Sequence, residues 1–91
     1  MSSMRLAFSS DAPAPLSSLA EGATGMVVGI RSDQASHGYA DRLIALGVTP
    51  GARVQVLQTF PGVVFLCDQT ELAVERAIAR TILIRTAEAQ R

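Results

Sequence analysis

Four side chains in this 91-residue chain are the candidates for metal or nucleophilic chemistry: His37, Cys67, Asp68 and Glu71. The sequence holds one His and one Cys, so each of these is unique. The stretch "CDQTEL" brings three of the four together. If Gln69 and Thr70 make a two-residue hairpin turn, Asp68 and Glu71 face each other with Cβ atoms about 5 Å apart. Two facing carboxylates repel, and a shared divalent cation relieves that repulsion. The alternative is that both point into water, where screening makes the repulsion small. Stable metal sites gather three or four ligands. A transition-metal ion, iron or zinc, is therefore easier to satisfy between two copies of the chain, each supplying two ligands. His37 reads most simply as a loop residue near a helix start.

Other chemistries find less support. No Ser-His-Asp arrangement has its partners at recognisable places. The glycine-containing stretches "GATG" and "GYADRLIALG" lack the Lys of a phosphate-binding loop, so nucleotide hydrolysis is not expected. The expectation is a protein that is not an enzyme and requires no cofactor.

These residues must be positioned by one small domain. A chain of this length buries roughly 60 to 65 per cent of its unfolded surface, which allows a single modest core. Apolar residues make up 48% of the chain and aromatic ones 4%, with no Trp, so the core must be aliphatic. Eight basic residues balance eight acidic ones. A phosphate-backbone binder normally carries a basic excess, and stacking aromatics are scarce, so nucleic acid is not an expected partner. No apolar run approaches the roughly 20 residues that span a bilayer. The N-terminal stretch lacks the basic start and apolar run of a secretory signal. The expectation is a cytoplasmic protein with no direct membrane insertion; the lone Cys67 excludes an intramolecular disulfide.

Along the chain, "MSSMRLAFSSDAPAP" reads as a loose tail, residues 1–14. Leu16 and Leu19 open the ordered domain, 15–86, and Gly22 and Gly25 mark a turn. "GMVVGIR" is a first strand in which Gly29 signals a bulge or a close backbone approach. A helix over 36–46 follows, with Ser36 as N-cap, Tyr39, Leu43 and Leu46 at helical spacing, and Gly47 as the left-handed C-cap. Pro50 and Gly51 suit the centre of a type II turn. The period then switches to two in "RVQVLQ", and "VVFLCD", "ELAV" and "TILIR" supply further strands, with a turn of helix in "ERAIAR" before the last. Residues 87–91 form a polar tail. The economical arrangement is mainly β: a small SH3-like β-barrel of about five strands, one α-helix across it and a one-turn helix before the last strand.

"RLIALGVTPGARVQV" followed by "ELAVERAIARTILIR", with "PLSSLAEGATGMVVGI" upstream, resembles the FeoA family of bacterial ferrous iron transport proteins. The resemblance implies an SH3-like barrel and a cytosolic accessory role in ferrous iron uptake. The implied partner is the permease FeoB, a membrane protein with its own GTPase domain, to whose membrane the protein would be recruited. The family is also associated with transition-metal binding, so a free-standing metal sensor or carrier is the alternative, with metal shared across a dimer. The same module occurs at the C-terminus of iron-dependent repressors. Those carry an upstream winged helix, for which fifteen residues are too few, so the repressor reading is not expected here.

Two surfaces are candidates for partner binding. One is the helix side carrying Asp41, Arg42 and Ala45, opposite the Leu43–Leu46 stripe. Arg42 is either a polar anchor for a partner or a surface residue paired with Asp41 or Glu71. The other is the tip "FPGVVF", unusually apolar for a turn, with Phe60, Val63 and Val64 as candidates and Phe65 expected inside. Alternation forbids burying both Val63 and Val64 on one face, so at least one is expected to be exposed. A patch of that size suits a transient partner or a weak homodimer.

Overall fold

The computed structural model describes residues 12–31 and 38–86. Six antiparallel strands form one sheet in the order β1-β6-β2-β3-β4-β5. They are β1 (Ala14–Pro15), β2 (Thr24–Ile30), β3 (Arg53–Gln58), β4 (Val63–Cys67), β5 (Thr70–Val74) and β6 (Ile82–Thr86). A 3-10 turn, Leu16–Ser18, follows β1; helix α1 (Tyr39–Ala45) joins β2 to β3, and α2 (Arg76–Ala79) precedes β6. The fold is mainly β, as the patterning implies. The sheet curls without closing, because β1 and β5 are its two ends. Ala14, placed by the sequence in the tail, pairs with Ile84 and begins a sixth strand. Residues 1–11 of the N-terminal stretch and residues 87–91 lie outside the described residues.

Period-two patterning sets the core. In β3 and β4, Val54, Val56, Val63, Phe65 and Cys67 point inward and are buried. Val27, Ile82 and Ile84 meet them from β2 and β6, and Leu16, Leu43, Val48 and Ile78 fill the remaining volume. Nearly every member is aliphatic, and Phe65 is the single buried aromatic of the core.

Of the two strand glycines, Gly29 does what is expected of it and Gly25 does not. Gly29 marks a register shift between β2 and β6, and a Cβ there would meet nothing. Gly25 lies inside β2 rather than in a turn; a Cβ on it would sit 2.6 Å from both the Arg85 carbonyl oxygen and Ile84 Cγ2. Its missing side chain lets β2 and β6 lie together as the sheet coils.

The junction from α1 to β3 follows its sequence signals closely. Gly47 takes φ +105°, its N–H donates to the Ile44 carbonyl at 3.0 Å, and the Val48 N–H donates to the Leu43 carbonyl at 2.9 Å. This pair of bonds is the Schellman arrangement. It folds Val48 back beside Leu43, and both side chains are essentially inaccessible. Gly51 has φ +96°, and the Ala52 N–H closes the Pro50-Gly51 turn on the Thr49 carbonyl at 2.9 Å. The helix is shorter than expected and starts after Gly38; Ser36 lies outside the described residues.

Candidate functional site

The "CDQTEL" hairpin differs from its expected register by one residue. Cys67 pairs with Thr70 and Leu66 with Glu71, so the turn is Asp68-Gln69 and not Gln69-Thr70. Asp68 sits in that turn at φ 55°, a conformation Asp tolerates better than most side chains. Its carboxylate Oδ1 accepts the Arg53 N–H at 3.0 Å, and its own N–H donates to the Arg53 carbonyl at 2.7 Å. Asp68 is therefore a turn residue pinned to β3, and it does not face Glu71.

The other candidate ligands are dispersed. Cys67 is buried, its thiol donating to the Gly47 carbonyl at 3.4 Å. Burial first, and the neighbouring Asp68 charge second, push this thiol above the ordinary cysteine range. The sign follows: the native state holds the thiol proton more tightly than the unfolded chain. That contribution is complete below the unfolded-state pKa and is lost as pH rises through the raised one. Glu71 is exposed across from Leu66, and His37 lies outside the described residues. Among the described residues, no group of three His, Cys, Asp or Glu side chains converges to hold a metal ion. Cys67, Asp68 and Glu71 as placed do not converge on one ion within the chain.

Of the two candidate interaction surfaces, the helix is the richer. Asp41, Arg42 and Ala45 are exposed as expected. Leu46 is not part of a buried stripe: it is 52% exposed, Ile44 50% and Tyr39 38%, and Leu43 alone anchors α1. The reason is the Schellman turn, which ends the helix at Ala45 and gives the core position next to Leu43 to Val48. The Arg42 guanidinium lies 5.9 Å from the Tyr39 ring centroid. That is a cation–π geometry, worth about 0.5–1 kcal/mol at an exposed site, and not the expected pairing with Asp41 or Glu71.

At the β3–β4 tip, Phe60 is 78% exposed, the largest exposure of any large apolar side chain described. Val63 is fully buried, paired with Val74, and cannot meet a partner. Its parity with Phe65 puts it inside, and Val64 is the outward, half-buried member.

Two features have no counterpart in the sequence reading. Arg76 donates from Nη1 to the Thr59 carbonyl at 2.7 Å and from Nη2 to the Ser17 carbonyl at 3.3 Å. Arg76 thus caps two backbone carbonyls at the sheet margin. The second is a cleft of about 690 Å³ on the outward face of β2, β3, β4 and β6, with Met26, Arg53, Leu66 and Arg85 among its lining. Strict alternation in "TGMVVG" and "RVQV" carried the signal, since it turns Met26 and Arg53 outward together.

Among the described residues no helix is long and apolar enough to cross a membrane. A family model, the FeoA domain, matches residues 14–86. No curated protein sequence matches the chain. Among solved structures, the crystal structure of an iron uptake regulatory protein, FeoA, is 29% identical, with TM-score 0.70 over 81% of this chain and 97% of that one. The solution structure of FeoA from Chlorobium tepidum is 25% identical, with TM-score 0.73 over 85% of this chain and 73% of that one. The zinc complex of Stenotrophomonas maltophilia FeoA, an SH3 domain protein, shares the fold at 21% identity, with TM-score 0.71 over 78% and 88% of the two chains.

Proposed function

Because the chain belongs to the FeoA family, which is associated with ferrous iron transport, we propose that it is a cytoplasmic accessory factor that binds the cytosolic GTPase part of the permease FeoB and modulates transport. The observation that carries this reading is α1. A seven-residue helix that gives one side chain to the core and leaves Tyr39, Ile44 and Leu46 in water has a surface role. Scattered exposed apolar residues are ordinary, whereas several on one short element mark an interaction surface. Asp41, Arg42 and Ala45 lie between Ile44 and Leu46 on the same exposed side of the helix, and Phe60 with Val64 offers a second, smaller contact.

The test is a binding titration between the full chain and the permease's cytosolic domain under reducing conditions. Micromolar or tighter binding that Ile44→Asp or Leu46→Asp weakens at least about tenfold supports the reading, since each such side chain contributes roughly 1.5–3 kcal/mol when buried. No binding by the wild-type chain, with or without divalent metal, overturns it. The metal-sensor alternative has its own test, calorimetry with ferrous iron and with zinc. Stoichiometric binding abolished by His37→Ala or Glu71→Gln would favour that reading.

A further inference from the structure

Across the outward face of the sheet, the register places Met26 directly between two arginines. It pairs with Arg53 on one side and Arg85 on the other. Neighbouring strands lie about 4.8 Å apart, so the two arginine Cα atoms are roughly 10 Å from each other with an exposed methionine between them. All three side chains line the 690 Å³ cleft, which continues over Leu66 and the outward Thr24 and Gln55.

The arginines are notable for what they are not doing. Arg76 is bonded to two carbonyls and Arg42 lies over Tyr39. Neither guanidinium of Arg53 and Arg85 has an ion pair or hydrogen bond among the described residues. The one acidic side chain on the cleft rim, Asp68, is committed to the Arg53 backbone N–H. Two guanidinium forks above an apolar floor suit a carboxylate carried next to an apolar side chain. The forks grip the carboxylate in bidentate fashion, and the methionine covers the neighbouring apolar group.

We propose that this cleft receives an acidic segment of the partner that α1 engages, so that one partner spans both surfaces. The inference rests on the permease reading above. The chain itself ties the two surfaces together. The turn that ends α1 runs on through the exposed Pro50 and Gly51 to Arg53, the first residue of β3 and part of the cleft lining. The α1 surface supplies apolar area, and the cleft supplies orientation and a salt-sensitive association rate.

The experiment titrates the full chain with the permease's cytosolic GTPase domain at low and moderate salt. It compares wild type with Arg53→Glu/Arg85→Glu, Arg53→Gln/Arg85→Gln and Arg80→Glu. Arg80 is an exposed arginine that does not line the cleft, which makes it the control. Circular dichroism confirms that each variant is folded. The expected result is a loss of affinity on the order of 10- to 100-fold for the Glu pair, a smaller loss for the Gln pair and little change for Arg80→Glu. The salt dependence should flatten in the Gln pair and reverse in the Glu pair, where salt screens a repulsion. Amide shifts of residues 24–26, 53–55 and 85 should move on binding. Wild-type binding that the double variants retain within about twofold overturns the cleft while leaving the permease reading standing. Absence of wild-type binding overturns both.

Discussion

The two helices of this small protein invert the usual relation between length and structural weight. Helix α1 spans seven residues and buries one side chain, Leu43. Helix α2 spans four and buries two, Ile78 and Ala79. The shorter helix is also the better tied. The Ile78 carbonyl accepts from the Thr81 hydroxyl at 2.7 Å, and Arg76 holds two carbonyls of other segments. The longer one is fixed mainly at its C-terminal end, through Leu43, Val48 and the Gly47 turn. Too short to persist alone in water, α1 is held in place by its cap and presents its apolar residues outward. In a domain of this size α2 belongs to the core, and α1 is a presented surface.

This contrast makes graded predictions. Ile78→Ala, on the shorter helix, should cost about 2–5 kcal/mol, because it leaves a cavity beneath the 3-10 turn and β6. Urea unfolding measures it, and a cost below ~1 kcal/mol would break the comparison. Arg76→Ala should cost about 1 kcal/mol, the small end of the range for a charged donor because the site is exposed. The same unfolding curves read it, and faster amide exchange near Ser17 and Thr59 should accompany the loss. Gly47→Ala, at the end of α1, should also cost about 1 kcal/mol, since φ of +105° disfavours any residue with a Cβ. Nuclear magnetic resonance should show the change confined to α1 and Val48. Ile44→Asp and Leu46→Asp should change stability by no more than about 0.5 kcal/mol. Their effect belongs in the binding titration, and a large stability loss would mean that α1 is core after all.

Most of the architecture could be read from local signals. The succession of elements along the chain, the α2 turn and the Gly47 and Pro50-Gly51 corners follow from glycine, proline and alternation, which act within a few residues. The candidate site was less legible for two physical reasons. Hairpin turns one residue apart suit "CDQTEL" almost equally, and only the tolerance of Asp68 for a positive φ separates them. That single shift removes the facing carboxylates. The helical period also extends through Leu46, whereas the chain leaves the helix at Ala45 and installs Val48 in the core. Periodicity cannot register that a cap has ended the helix. The long-range roles of Arg76 and of the Arg53–Met26–Arg85 row depend on strand pairing between distant segments, which composition does not encode.

The pairing of β6 with both β1 and β2 also sets an order in time. Strands β3, β4 and β5 form a meander of neighbours and can assemble as soon as they leave the ribosome. The first described strand has no partner until the last one has been made. Arg76 reaches Ser17 across 59 residues of chain, so that bond also waits for the end of synthesis. Non-local closures of this kind carry the largest loop entropy and form late. During synthesis β1 is thus held without any sheet partner and β2 with β3 alone, and truncation before β6 should leave a chain that cannot close its core.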